Sequence, residues 1–209
     1  MKIFIAAITI LFLSFTNFYC TTNKSNEMKE TADEQQPSTK GQTEKPQYEF
    51  TVTQKGAELG KIVVELFPDV APKHCENFDN LVKAGFYDGL AFHRVIRGFM
   101  IQGGDPNTKD KPKETWGIGD PSQKTVPAEF SNISHKRGIL STARKGNDIN
   151  SATSQFFIMV ADNPRLDGQY TVFGQVLTGM DVADKIVSTP TEVPDRPIDK
   201  IEMKIKRIK

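Results

Sequence analysis

From Tyr48 onward, this 209-residue chain predicts a mainly β fold: an antiparallel barrel, closed or nearly so, with helices over its ends. Short runs rich in β-branched and aromatic residues recur between turns of Gly, Pro and Asp. Only two stretches carry apolar residues at helical spacing. Strands do not alternate with long helices, the rhythm that marks a parallel sheet.

Composition narrows the function classes before any element is placed. Lys and Arg number 27 against 26 Asp and Glu, a formal charge of +1. That balance lacks the basic excess with which a protein neutralises phosphates, so no nucleic-acid partner is expected. Cys20 and Cys75 form no CxxC pair and the three histidines have no zinc-ligand spacing, so neither a disulfide framework nor a metal site is expected.

The chain reads in three parts. In residues 1–20, Lys2 precedes an apolar run from Ile3 to Phe15, too short for a comfortable membrane span of ~18 residues and suited to an export signal. Cys20, followed by Thr21-Thr22-Asn23, resembles the junction of a bacterial lipoprotein, where the cysteine carries the lipid. Asn17-Phe18-Tyr19 stand where small residues are usual, and an uncleaved anchor or ordinary cleavage are the alternatives. The expectation is an exported protein of the bacterial cell envelope or periplasm, held to a membrane through lipidated Cys20. Residues 21–47 hold no aromatic residue and no Ile, Leu or Val, so they bury too little surface to offset the entropy of ordering. They read as a disordered polar linker, either a tether or a plain tail.

Residues 48–209 read as one domain with a core of its own. Tyr48–Thr53 and Lys61–Leu66 form strands around a hairpin at Lys55-Gly56-Ala57. In Asp69–Lys83 the period changes: Val70, His74, Cys75, Phe78, Leu81 and Val82 share a helical face, with Pro72 near the start and Gly85 past the end. Cys75 is thereby a small core residue. Further strands follow at Phe92–Ile96, Met100–Gly103, Gly138–Thr142, Gln155–Val160 and Thr171–Leu177, then a helix at Met180–Val187 and the alternating run Ile201–Ile205.

Three clusters are candidates for chemistry: Phe92–Asp105, Gly138–Ala143 leading into Ser154–Ile158, and Arg165–Gly174. Period two puts Arg94 and Ile96 on one face of their strand, with His93 and Val95 on the other. By residue type alone, Arg94 reads as either an outward guanidinium or a functional group, Phe157 as core or pocket, and Gln155 as a surface or site amide. Gly103-Gly104 marks a tight turn or a close backbone approach.

Taken together, FHRVIRGFMIQGGD, SQFFI and LDGQYTVFGQV resemble the cyclophilin family of peptidyl-prolyl isomerases, with Glu76-Asn77-Phe78 and Gly85-Phe86-Tyr87-Asp88-Gly89 preceding them in the expected order. The resemblance covers essentially all of 48–209. It implies an eight-stranded antiparallel barrel capped by two helices, and an enzyme that accelerates rotation about Xaa-Pro bonds without cofactor, metal or covalent intermediate. It also implies Arg94 as the catalytic residue, and Phe99, Met100, Phe157 and Leu166 as the proline pocket. Gln102 and Gln155 are its polar neighbours and Ala143 a backbone contact, while Tyr170 stands where a histidine is common and can still supply an aromatic wall and a hydroxyl donor. Proline-containing polypeptides are the implied partners of an expected monomer. Arg165 stands where a tryptophan is common, which implies weakened cyclosporin binding. A module that holds proline segments as chaperone or adaptor, with incidental turnover, is the alternative.

Overall fold

The computed structural model describes residues 45–192 and 195–209; the expected export signal, Cys20 and the expected linker as far as residue 44 lie outside the described residues. A tight turn with positive φ at Lys55 and Gly56 joins β1 (Gln47–Gln54) to β2 (Ala57–Leu66), and both strands run longer than the hydrophobic pattern predicts. Helix α1 (Pro72–Lys83) starts three residues later than its apolar period suggests, because Pro72 takes the first turn and Val70 and Ala71 turn back on the Phe67 carbonyl. Its buried face is His74, Cys75, Phe78 and Val82. The Phe78 ring meets Tyr48, Phe50, Tyr87, Phe156 and Phe173, with centroids 5.2–6.2 Å apart. Cys75 lies in this core, its thiol against the Phe173 carbonyl and pushed up to about 12 by burial, so it is no nucleophile.

Of the expected strand Phe92–Ile96 only β4 (Arg94–Ile96) forms, and a separate short strand, β3 (Leu90–Ala91), precedes it. The cause is a change of partner. The Phe92 N–H donates to Ile201 and the His93 N–H to Gln102, so the chain leaves one neighbour for another between these residues. There follow β5 (Met100–Gly103), β6 (Ile139–Thr142), β7 (Phe156–Met159), β8 (Val172–Thr178), helix α2 (Met180–Val187), the short β9 (Thr191–Glu192) and β10 (Arg196–Pro197), and β11 (Ile201–Arg207). Among the described residues nine strands form one curled antiparallel sheet in the order β3-β11-β1-β2-β8-β6-β7-β5-β4, with β9 and β10 as a separate ribbon. Nine stand where eight were expected because β3 and β4, the two edges of the sheet, are pieces of one continuous run.

Period two gives the sheet two buried faces in its second half. Phe156, Ile101, Leu140 and Phe173 point into the core with Phe50, Ile62 and Phe92. Their neighbours Phe157, Met100, Ile139 and Val172 point the other way and make a second cluster with Phe67 and Met159. Polar-out alternation is therefore missing from β5, β6 and β7, in which nearly every residue is buried. The second cluster, on the outer face of the barrel, carries the candidate site.

Candidate active site

Cross-strand register builds the site. Arg94 on β4 faces Gln102 on β5, Gln102 faces Phe157 on β7, and Phe157 faces Ser141 on β6. Directly paired residues project to the same side of a sheet, so these four form a row across four strands. Above it opens a cleft of about 580 Å³, lined among others by Arg94, Phe99, Met100, Gln102, Ala143, Phe157, Leu166 and Tyr170. Phe157 is its floor, edge-on to Tyr170 at 5.6 Å and stacked on His135 at 6.1 Å. Arg144 lies over the Tyr170 ring, its guanidinium 4.7 Å from the ring centre.

At the polar end, the Arg94 guanidinium reaches the Gln102 side-chain oxygen at 3.5 Å. Gln102 donates to Gln155 at 3.0 Å, and Gln155 to the Gly117 carbonyl at 3.3 Å. Gln155 lines a neighbouring depression of about 430 Å³, which shares Gln102, Gly117, Ala143 and Arg144 with the cleft. The cleft is apolar where it is deep and has a fixed cation and amides along one wall, the arrangement that grips an apolar ring beside a peptide group.

A family model described as cyclophilin type peptidyl-prolyl cis-trans isomerase matches residues 48–209. The chain belongs to the cyclophilin-type peptidyl-prolyl cis-trans isomerase family. A peptidyl-prolyl cis-trans isomerase of Acinetobacter baylyi is 43% identical over 171 residues, covering 76% of this chain and 87% of that protein. The isomerase-like 2 protein of Rhizopus delemar is 47% identical over 152 residues, 71% of this chain but 27% of its own length. The crystal structure of a Cryptosporidium parvum cyclophilin-type isomerase superposes with a TM-score of 0.70 at 31% identity, covering 79% of this chain and 98% of that one. A second structure, in the presence of the dipeptide Ala-Pro, gives 0.69 at 30% identity, covering 78% and 99%.

The cyclophilin-type domain brings every expected site residue within the described part to this cleft or, for Gln155, to the depression beside it. Arg165, where the resemblance has a tryptophan, stands apart from them. It lies on the turn that carries Leu166, is exposed, and is not among the residues lining the cleft. Of the two readings of Gly103-Gly104, the close backbone approach is the one observed: a Cβ at Gly104, with φ of +84°, would stand 2.5 Å from the Ser154 carbonyl oxygen.

Several contributors are not among the site residues that the resemblance implies. Asp105, fully buried, accepts from the backbone N–H of Asn107, Gly117 and Gly119 and so folds the following loop. That loop delivers Glu114, Trp116 and Gly117 to the cleft, as the segment after β9 delivers Arg196. Ser141, His135 and Asp167 are linked as in a hydrolase, at 3.0 Å from Ser141 Oγ to His135 Nε2 and 2.9 Å from His135 Nδ1 to Asp167. Ser141 is fully buried, so the trio braces the back of Phe157 and attacks nothing. Hydrogen bonds from the Ser134 hydroxyl and from the backbone and ring of His135 hold the Asp167 carboxyl down to about 2.

His93 lines the cleft, buried, and neither ring nitrogen finds a hydrogen-bond partner among the described residues. Burial pushes it down to about 4, against the attraction of Asp105. The unfolded chain, with an ordinary value near 6.5, binds the proton first. The stability contributed by neutral His93 is therefore present above about pH 6.5 and lost as pH falls towards 4. Buried His74 is shifted in the same direction. On urea denaturation, the wild type should lose about 2 kcal/mol more than His93→Gln between pH 7 and 4.5. Equal losses would show that His93 is not held neutral.

Proposed function

We propose that this cleft accelerates rotation about Xaa-Pro bonds in proteins folding in a bacterial cell envelope, with Arg94 as the catalytic group. Planar amide resonance puts ~18–20 kcal/mol in the way of rotation, and no covalent bond need be made to lower it. As the bond twists, the proline nitrogen loses conjugation and its lone pair accepts a hydrogen bond. A fixed donor there stabilises the twisted state more than the planar one. Arg94, always charged, is that donor, while Gln102 and the Ala143 backbone hold the peptide and Phe99, Met100, Phe157, Leu166 and Tyr170 enclose the ring. The adjoining depression with Gln155 takes flanking residues.

The observation that carries this reading is the row Arg94-Gln102-Phe157, which sets a cation and an amide at the edge of an apolar floor. Holding a proline segment, as an adaptor would, requires the floor but not the arginine. A proline-peptide isomerisation assay separates the two: turnover well above the uncatalysed rate is expected, and binding without turnover would overturn the enzymatic reading. The envelope location rests on the sequence of residues 1–20, and lipidation on Cys20-Thr21-Thr22-Asn23. A mass measurement of the mature N-terminus should find acyl chains on Cys20; a mature start elsewhere would refute that anchor.

A further inference from the structure

The catalytic strand is an edge strand, and what covers its free edge bears on the site. β4 pairs with β5 on one side only. On the other side the Val95 N–H donates to the Asp195 carbonyl at 2.8 Å. Asp195 has a φ of +63°, a left-handed conformation that Asp and Asn tolerate better than most side chains. Held so, it presents its carboxylate to Arg94, with Oδ2 3.7 Å from Nε.

We infer that Asp195 is a positioning residue for Arg94. The inference rests on the reading of Arg94 as the catalytic donor. Arg94 is long and its side chain 44% exposed, so the apolar floor alone does not hold it. A guanidinium is planar, and fixing two of its nitrogens fixes the plane. Asp195 attracts Nε while Gln102 accepts from Nη1 at 3.5 Å, which leaves the remaining donors for the substrate. Three neighbouring charged side chains, Arg196, Lys113 and Glu192, are engaged with one another. Arg196 pairs with Glu192 at 3.2 Å, Lys113 pairs with Glu192 at 3.4 Å, and the Arg196 guanidinium also donates to the Lys113 carbonyl. This ribbon packs the Asp195 backbone against β4.

Asp195→Asn separates the charge from everything else, since asparagine keeps the shape, tolerates positive φ and retains the carbonyl that receives Val95. With a neutral proline peptide at low ionic strength, kcat/KM should fall about threefold, the scale of a half-exposed ion pair, with an unchanged melting temperature. In ~1 M salt, where the screening length shrinks to about 3 Å, wild type and variant should converge. Equal kcat/KM at low salt, or a loss that high salt does not narrow, would overturn the inference. Arg94→Ala serves as the reference: if it keeps turnover, the catalytic reading itself fails. If it is inactive while Asp195→Asn is unaffected, only the positioning role fails.

Discussion

Arg94→Ala should lower kcat/KM for a proline peptide by two to three orders of magnitude while leaving the melting temperature within a degree or two of the wild type. The activity loss follows from the size of the task. Uncatalysed isomerisation takes tens to hundreds of seconds, so a rate near 10³ s⁻¹ requires roughly five decades, or about 7 kcal/mol. A preorganised donor aimed at charge that appears only in the transition state supplies ~3–4 kcal/mol of that, by analogy with oxyanion donors. The fold should survive because the side chain is nearly half exposed and its ion pair with Asp195 is solvent-screened. Arg94→Lys keeps the charge without the planar fork and should recover only part of the loss. Near-wild-type turnover in folded Arg94→Ala would sink the mechanism, and an equal loss of peptide affinity would turn the arginine into a binding group.

The elements that were legible from sequence are those whose burial follows a local period. The face of α1 through His74, Cys75, Phe78 and Val82 emerges from the 3.6-residue spacing, and the alternation of Ile201, Met203 and Ile205 on β11 from period two. The break at Phe92 and His93 left no such trace, because an apolar run reads the same whether its hydrogen bonds go to one neighbour or to two. The site was legible only through family resemblance. Arg94, Gln102, Phe157 and Ser141 are brought into one row by register among four strands, and nothing local to any of them encodes that register. Asp195 and Arg196 were illegible for the same reason in a stronger form. Their segment follows a predicted helix in a polar, proline-rich stretch, and its value lies in covering an edge strand a hundred residues earlier. Phe156 and Phe157 show the limit well. Adjacent and identical, they face opposite sides, one into the core and one into the cleft, and residue type does not say which.

Phe157→Ala should therefore damage both fold and function, and the two losses must be separated. Phe157 is almost fully buried, touching Tyr170 at its edge and His135 on its face, and its removal leaves a cavity in the outer cluster. A buried Phe→Ala change costs ~3–5 kcal/mol, so thermal unfolding should shift down by roughly 6–20 °C. Function should fall further than the folded fraction explains. The proline ring presents about three CH₂ groups to this floor, each worth ~0.8 kcal/mol on burial. Losing most of that contact lowers kcat/KM by roughly tenfold to a hundredfold, through weaker binding and through water admitted beside an amide that must shed its polar planar form. Phe157→Leu supplies the control, because its smaller volume change costs less stability while still removing the flat surface on which the ring rests. It should stay folded at assay temperature and lose several-fold in kcat/KM. Wild-type kinetics in folded Phe157→Leu, together with a Phe157→Ala loss proportional to unfolding alone, would place the proline elsewhere than on this floor.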